Sequence, residues 1–306
     1  MKDVLAVCNT LEECERNTNM LDKASLVDLK VIDGGVEKPV DNFKGVYNIS
    51  QGKLATAVVP YYNLVQHRDY FMGFANALNR LGIEFTMTLK QAGQRAFADI
   101  EFENKNVKFD KLNEEFTTGI RLVNSYNKLT GVFVMPRYTR LACTNGMIIT
   151  RCEKTLSIKH TSKVLNEIDK FIETRLSEII TENSDLQAWV SGAMGDSIEW
   201  LAASRIMGKL FKQPKHREEI LKRLGISMIT VEDKKSKKKS ISYVLDDDEK
   251  KLNKITRWEM YNAITHYLTH GEHITPHIEN HFHKYAEKLL VTPLAKMPTE
   301  KVVLNV

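Results

Sequence analysis

The chain has 306 residues, 42% of them apolar and 27% charged, with only 15 glycines and 7 prolines. That composition supplies enough apolar side chain for a core and excludes disordered, collagen-like and low-complexity chains. No apolar run approaches a membrane span, acids stand where a signal peptide would be apolar, and four cysteines without a C-x-x-C pair exclude a disulfide framework or a zinc ribbon.

In chain order, residues 1–52 are polar and mixed, with a turn signal at Asp33-Gly34-Gly35. Residues 53–60 read as a short buried strand stopped by Pro60. From His67 to Leu81 the side chains Tyr70, Phe71, Phe74, Ala77, Leu78 and Leu81 fall at helical spacing, and Gly82 stands where a C-terminal cap belongs. Phe85, Met87 and Leu89 then alternate with threonines. Ala96, Ala98, Ile100 and Phe102 alternate with Arg95, Asp99 and Glu101, and Gly93 lies between the two runs, which predicts a β-hairpin with one wet face. Residues 119–126 and 132–143 predict two further strands, the second broken at Pro136.

Beyond about residue 150 the spacing becomes helical. Leu165, Ile168, Ile172, Leu176 and Ile179 make one stripe, a long helix is expected from Asp185 to Phe211, and a short one from Arg217 to Leu224. Two strand-like runs, 226–231 and 241–245, flank a lysine run. Helices from Asp248 to Gly271 and from Thr275-Pro276 onward close the chain. The expected fold is α+β, an antiparallel β-sheet with a packed helix in the N-terminal half and a mostly helical C-terminal half with a small basic β-hairpin. The expected boundaries are a segment over 1–52, a sheet-plus-helix domain over 53–155, and a helical domain over 156–306 carrying the hairpin at 226–245.

The net charge of +5 is unevenly placed: residues 212–240 hold ten lysines and arginines against four acids, more than the whole surplus. A cationic tip of Lys234, Lys235, Lys237, Lys238 and Lys239 suits contact with a phosphate backbone, and a solvated loop has the same composition. In the middle strands Arg121, Tyr126, Lys128, Arg137, Tyr138 and Arg140 interleave with apolar positions. Rings and cations on a sheet face fit single-stranded nucleic acid, and ordinary cross-strand packing gives the same pattern. His266/His270 and His277/His281 are i,i+4 pairs, and His270, His273 and His277 bracket a tight connection as weak metal candidates without an H-E-x-x-H motif. Asp99, Glu101 and Glu103 alternate, and Glu103-Asn104-Lys105 spells half of a metal-dependent nuclease pattern, although a hairpin's wet face demands polar residues there in any case. Cys143 and Cys152 have no histidine at nucleophile spacing and read as buried thiols. Neither G-x-G-x-x-G nor a P-loop occurs, so no cofactor is expected.

Three stretches carry a resemblance: PYYNLVQHRDYF at 60–71 followed by LKQAGQRAFADIEF at 89–102, LVNSYNKLTGVFVMPRYTRLACTNGM at 122–147, and WEMYNAITHYLTH at 258–270. In these the chain resembles the phage- and plasmid-borne family catalogued as domain of unknown function 932, over about residues 54–290. The resemblance implies a phage, plasmid or archaeal-virus setting and brings no catalytic residues. The order strand, helix, hairpin, strand is also similar to the core of phage single-strand annealing proteins, at the level of fold alone. The expected function is therefore a nucleic-acid-binding accessory protein, more an adaptor than an enzyme, with single-stranded DNA favoured, acting in strand annealing, replication or recombination. No membrane contact is expected, the location is the host cytoplasm, and a homo-oligomer is compatible. The alternatives are a metal-dependent nuclease or hydrolase, and a protein that docks on a host partner.

Overall fold

Alternating apolar side chains build the sheet that organises the first half of the chain. In the computed structural model, which describes residues 4–109, 114–140, 146–148, 156–161, 163–181, 184–232, 239–246, 254–271 and 276–297, the protein is α+β with antiparallel strands and divides into two units, Met1–Glu182 and Asn183–Val306.

The first unit contains β1 (Val4–Cys8), α1 (Leu11–Asn17), β2 (Ala24–Asp33), β3 (Val36–Asn48), β4 (Lys53–Val58), α2 (His67–Arg80), β5 (Phe85–Ala92), β6 (Arg95–Phe109), β7 (Glu114–Ser125), β8 (Val132–Arg140), β9 (Gly146–Ile148), β10 (Leu156–Ile158) and α3 (Val164–Thr181). A seven-stranded sheet runs β1-β5-β6-β7-β8-β10, with β9 also on β8. Met87, Leu89, Ala98, Ile100, Phe102, Ile120, Leu122 and Val134 are fully buried on one face, in one core with Phe71, Phe74 and Leu78 of α2 and Leu176 and Ile179 of α3. The hairpin predicted around Gly93 forms with two connecting residues, Ala92 pairing with Arg95 and Gly93 at φ +58°, which suits the strand twist. Pro136 does not break its strand. β10 pairs with Val132–Val134 of β8 and β9 with Arg137–Thr139, so the missing donor falls where neither short strand needs it.

The first 52 residues are not a separate segment. β1 is the edge strand beside β5, and β2, β3 and β4 form a meander whose first turn, Gly34-Gly35, has both φ values positive. Leu26, Val31, Ile32, Val36 and Phe43 of that meander are exposed, so its strands lack the clean alternation that would announce them. α3 contributes to the first unit's core, which moves the division from 155/156 to 182/183. Its inward stripe begins at Val164, and Leu165 faces out.

The second unit comprises α4 (Ser184–Gly195), β11 (Ser197–Glu199), α5 (Trp200–Leu210), α6 (Pro214–Arg223), β12 (Ile226–Glu232), β13 (Lys239–Leu245), β14 (Lys254–Thr256), α7 (Arg257–His270) and α8 (Pro276–Val291). The long helix expected from Asp185 to Phe211 is two helices. The chain leaves helix at Gly195-Asp196 and β11 pairs with β14. Asp196 forms an ion pair with Arg257 at 2.9 Å and accepts from the Leu294 amide at 2.8 Å. Arg257 Nη1 in turn donates to the carbonyls of Leu289, Leu290 and Thr292, capping the end of α8. α7 starts at Arg257, directly after β14, where Thr256 and Glu259 form a reciprocal capping box; Asp248, the expected start, lies outside the described residues. None of the described helices is long and apolar enough to cross a membrane.

Two glycines test this packing. At Gly119 a Cβ would collide with the Ile100 carbonyl, whereas at Gly73, inside α2, it would meet nothing within 4 Å. Gly119→Ala is expected to lower stability by about 1–3 kcal/mol through overpacking, and Gly73→Ala to raise it by up to about 1 kcal/mol through helix propensity. Thermal unfolding of the full chain followed by circular dichroism checks both.

Candidate nucleic-acid interface

The sheet face opposite the helices carries two of the sequence-predicted cations, Arg121 and Arg137, and both are used internally. Asp99 of β6 lies opposite Arg121 of β7. Arg121 grips it with both arms, Nε on Oδ1 and Nη2 on Oδ2 at 2.7 Å, while Lys90 Nζ donates to Oδ2 at 2.9 Å. In the next cross-strand row stand Glu101, Gly119 and Arg137. Gly119 carries no side chain, and Arg137 Nη1 reaches across it to Glu101, which also accepts from the Thr139 hydroxyl at 2.7 Å. Asp99 is only 3% exposed and Arg121 6%. Burial alone would raise the Asp99 carboxyl; the Arg121, Arg137 and Lys90 charges outweigh it and hold that group well below the usual carboxylate range.

Tyr126 and Tyr138 are also buried. The Tyr126 hydroxyl sits at a polar junction, 2.9 Å from the Asp22 carbonyl and 3.0 Å from Gln66 Oε1, and it accepts from the His67 amide at 3.2 Å. Asn124 Nδ2 donates to the Val65 carbonyl at 2.8 Å, and the Gln66 side chain pairs with both backbone groups of Ala24. The His67 ring stacks on Tyr126 at 3.8 Å and is fully buried; burial, with His160 adding a smaller effect, pushes its imidazole down to about 3. Sequence reasoning passed over this junction, although Val65, Gln66, His67, Asn124 and Tyr126 lie within two of the stretches that carry the family resemblance. Lys128 is exposed at φ +59°, with Nζ donating to the Ala57 carbonyl at 2.7 Å. Arg140 ends β8, and its side chain lies outside what is described. Arg121, Tyr126, Arg137 and Tyr138 therefore do not make an open stacking platform. Alternation along a sheet reports the pleat, and both faces of this sheet carry buried side chains.

The carboxylates expected of a nuclease are differently employed. Asp99 is surrounded by three cationic side chains, which would repel a divalent ion. Glu103 and Lys105 flank Asn104, at φ +56°, where the β6–β7 register shifts. Among the described residues, no group of three or more His, Cys, Asp or Glu side chains could hold a metal. The His270 ring lies tilted against that of His266, centroids 4.5 Å apart, and His266 Nδ1 accepts from Arg223 Nε at 3.0 Å. His273 lies outside the described residues, as do Cys143, Cys152 and the side chain of His277.

The second unit presents several of its cations outward. α5 and α6 are joined by the three residues Phe211-Lys212-Gln213, and α6 buries His216, Arg217, Ile220 and Leu221. Its other face leaves Lys215, Lys222 and Arg223 exposed, with Lys212 just before it. Gly225, at φ +69°, turns the chain into β12. The β12–β13 ladder runs from Ile226↔Leu245 to Glu232↔Lys239. Its base is anchored by buried Ile226, Tyr243 and Leu245, with Arg217 over the Tyr243 ring at 6.0 Å. Ile229 and Val231 are more than 40% exposed, so the distal half of the hairpin is an arm without a core. Lys234, Lys235, Lys237 and Lys238 lie outside the described residues, and Lys239 starts β13 with its side chain likewise outside.

Two consequences are measurable in the first unit. Trp189, Trp200 and Trp258 all belong to the second unit, so amide hydrogen exchange in β6 and β7 is the appropriate probe. Asp99→Asn leaves buried guanidinium groups without their counter-charge and is expected to cost about 3–5 kcal/mol in β6–β7 protection. For acid, the signs of Asp99 and His67 agree. Asp99, with its folded value depressed, stabilises above its unfolded value and loses that contribution as pH falls further. His67 is buried neutral with its value lowered from 6.5 to about 3, so the unfolded chain takes up the proton first. Stability then falls below about pH 6.5 by up to about 1.4 kcal/mol per pH unit for this group. His67→Phe retains a ring over Tyr126 and should flatten that loss between about pH 6 and 4; an unchanged slope would contradict the assignment.

No curated protein and no solved structure matches the chain. The model of one family, described as Domain of unknown function (DUF932), matches residues 56–290. That span covers both the α2–β8 block and the α6–α7 segment with its basic hairpin, and the chain belongs to this family.

Proposed function

We propose that the protein binds nucleic acid through its second unit, with the exposed face of α6 and the β12–β13 arm contacting phosphates independently of sequence. One observation carries this reading: Arg121 and Arg137 of the large sheet are paired with Asp99 and Glu101, whereas Lys212, Lys215, Lys222 and Arg223 are exposed on and beside α6, close in sequence to the lysine run that follows β12. A protruding cationic arm beside a neutral body draws in a polyanion and is cheap to keep solvated until it does. Two short helices joined by a three-residue turn are also how helix-turn-helix modules offer their second helix to DNA, an analogy of element order alone. The rings that favoured single-stranded DNA, Tyr126 and Tyr138, are buried. That preference therefore drops out, and duplex and single strand are equally eligible on phosphate attraction. The setting proposed is the replication or recombination of a phage, plasmid or archaeal virus, in its host's cytoplasm.

The test is a salt titration of the full chain against short labelled single- and double-stranded oligonucleotides. Affinity should fall steeply between about 50 and 200 mM salt, and each phosphate contact contributes roughly 0.9 to the logarithmic slope on duplex or 0.7 on single strands. Replacing Lys234, Lys235, Lys237, Lys238 and Lys239 by alanine should lower the slope by several of these increments and leave the fold intact. Absence of binding at low salt would remove the proposal.

A further inference from the structure

We propose that two copies of the chain join through β2, pairing antiparallel about a two-fold axis at Leu29. β2 (Ala24–Asp33) lies at the edge of its three-stranded sheet, and among the described residues it pairs with β3 alone. The strand carries the run Leu26-Val27-Asp28-Leu29-Lys30-Val31-Ile32. Leu26, Val31 and Ile32 are exposed, Ile32 to 74%. The Asp28 and Lys30 side chains are 90% and 64% exposed. Charges on an edge strand can serve only to keep it from pairing. Such a barrier works by setting like charges against each other, whereas this run has one acid and one base placed symmetrically about a leucine.

Antiparallel pairing centred on Leu29 sets Asp28 opposite the partner's Lys30, and Lys30 opposite the partner's Asp28. Val27 then meets the partner's Val31, Leu26 the partner's Ile32, and Leu29 its own copy. On one face Val27, Leu29 and Val31 become an apolar row continuous across the seam. Val27 and Leu29 already converge there with Leu54 over the bare backbone of Gly45. On the other face Asp28 lies between Lys44 of its own β3, 3.6 Å away, and the partner's Lys30; within each chain Lys30 also holds Glu37 at 2.7 Å. Charge therefore alternates in sign along the row Lys44, Asp28, Lys30, Glu37 as it crosses from one copy to the other. The neighbouring axis positions, at Asp28 or at Lys30, would set like charges opposite each other, so the pattern specifies this register.

Sedimentation velocity of the full chain, free of nucleic acid, over protein concentrations on the order of 1 to 100 μM should show monomer giving way to dimer. Amide hydrogens of β2 should exchange more slowly as the dimer fills, and those of β4, at the other edge of the sheet, should not. Asp28→Lys and Lys30→Asp each set like charges across the axis and should each weaken dimerisation by about tenfold or more. An equimolar mixture of the two variants restores both opposite-charge pairs and should dimerise as the wild type does. Both substitutions fall on exposed side chains, whose ion pairs contribute little to folding. If either variant does not fold, the wild-type concentration dependence and the β2 exchange decide alone. A chain that stays monomeric throughout, a dimer whose affinity neither charge reversal changes, or a mixture that does not recombine would overturn the proposal.

Discussion

The two-armed grip of Arg121 on Asp99 decides what this molecule can offer an anionic partner. A guanidinium and a carboxylate meeting in a buried row satisfy each other's charge and most of each other's hydrogen-bonding capacity. Arg137 and Glu101 repeat the arrangement one row on, made possible by the bare backbone of Gly119. Glu101 is half-buried, and the Arg121–Asp99 pair is the closed contact: an anion could reach it only by separating charges already taken out of water, a costly step. The charges of Arg121 and Arg137 are thereby used within the sheet.

Local signals in the sequence located much of the fold. Helix α2 ends one residue before its expected end, with Gly82 just beyond the cap, and the β5–β6 hairpin forms around Gly93 because alternation and a positive-φ residue agree there. The basic hairpin forms between its two expected strands. What escaped were features without a periodic signature. The β2–β3–β4 meander exposes apolar residues and is held by its ladder, so pattern alone reads it as irregular. The break between α4 and α5 depends on Asp196 meeting Arg257, about sixty residues away in the chain. The start of α7 was readable in the spacing of Thr256 and Glu259, a capping signal outranked by the acidic run before it.

The candidate site was legible in its charge and illegible in its placement. A lysine run is visible as composition, and a solvated arm is where such composition belongs. Arginines and tyrosines on alternating strand positions carry no label saying whether the face they share is open. Here Arg121 and Tyr126 lie in buried networks, and the distinction rests on partners, Asp99 for one and Asp22, Gln66 and His67 for the other, that come from other strands and from the start of a helix. The same lesson applies to Asp99 and Glu101, whose spacing suits a metal site until the surrounding cations are seen.

Lysine footprinting tests the division of labour between the units most directly. The full chain is acylated with a lysine-selective reagent, with and without an oligonucleotide at low salt, and the modified peptides are quantified by mass spectrometry. The account predicts protection concentrated at Lys215, Lys222 and the lysines from 234 to 239, with Lys30 and Lys128 of the first unit unchanged. Protection centred on the first unit, with the lysine-rich arm as reactive as before, would contradict it.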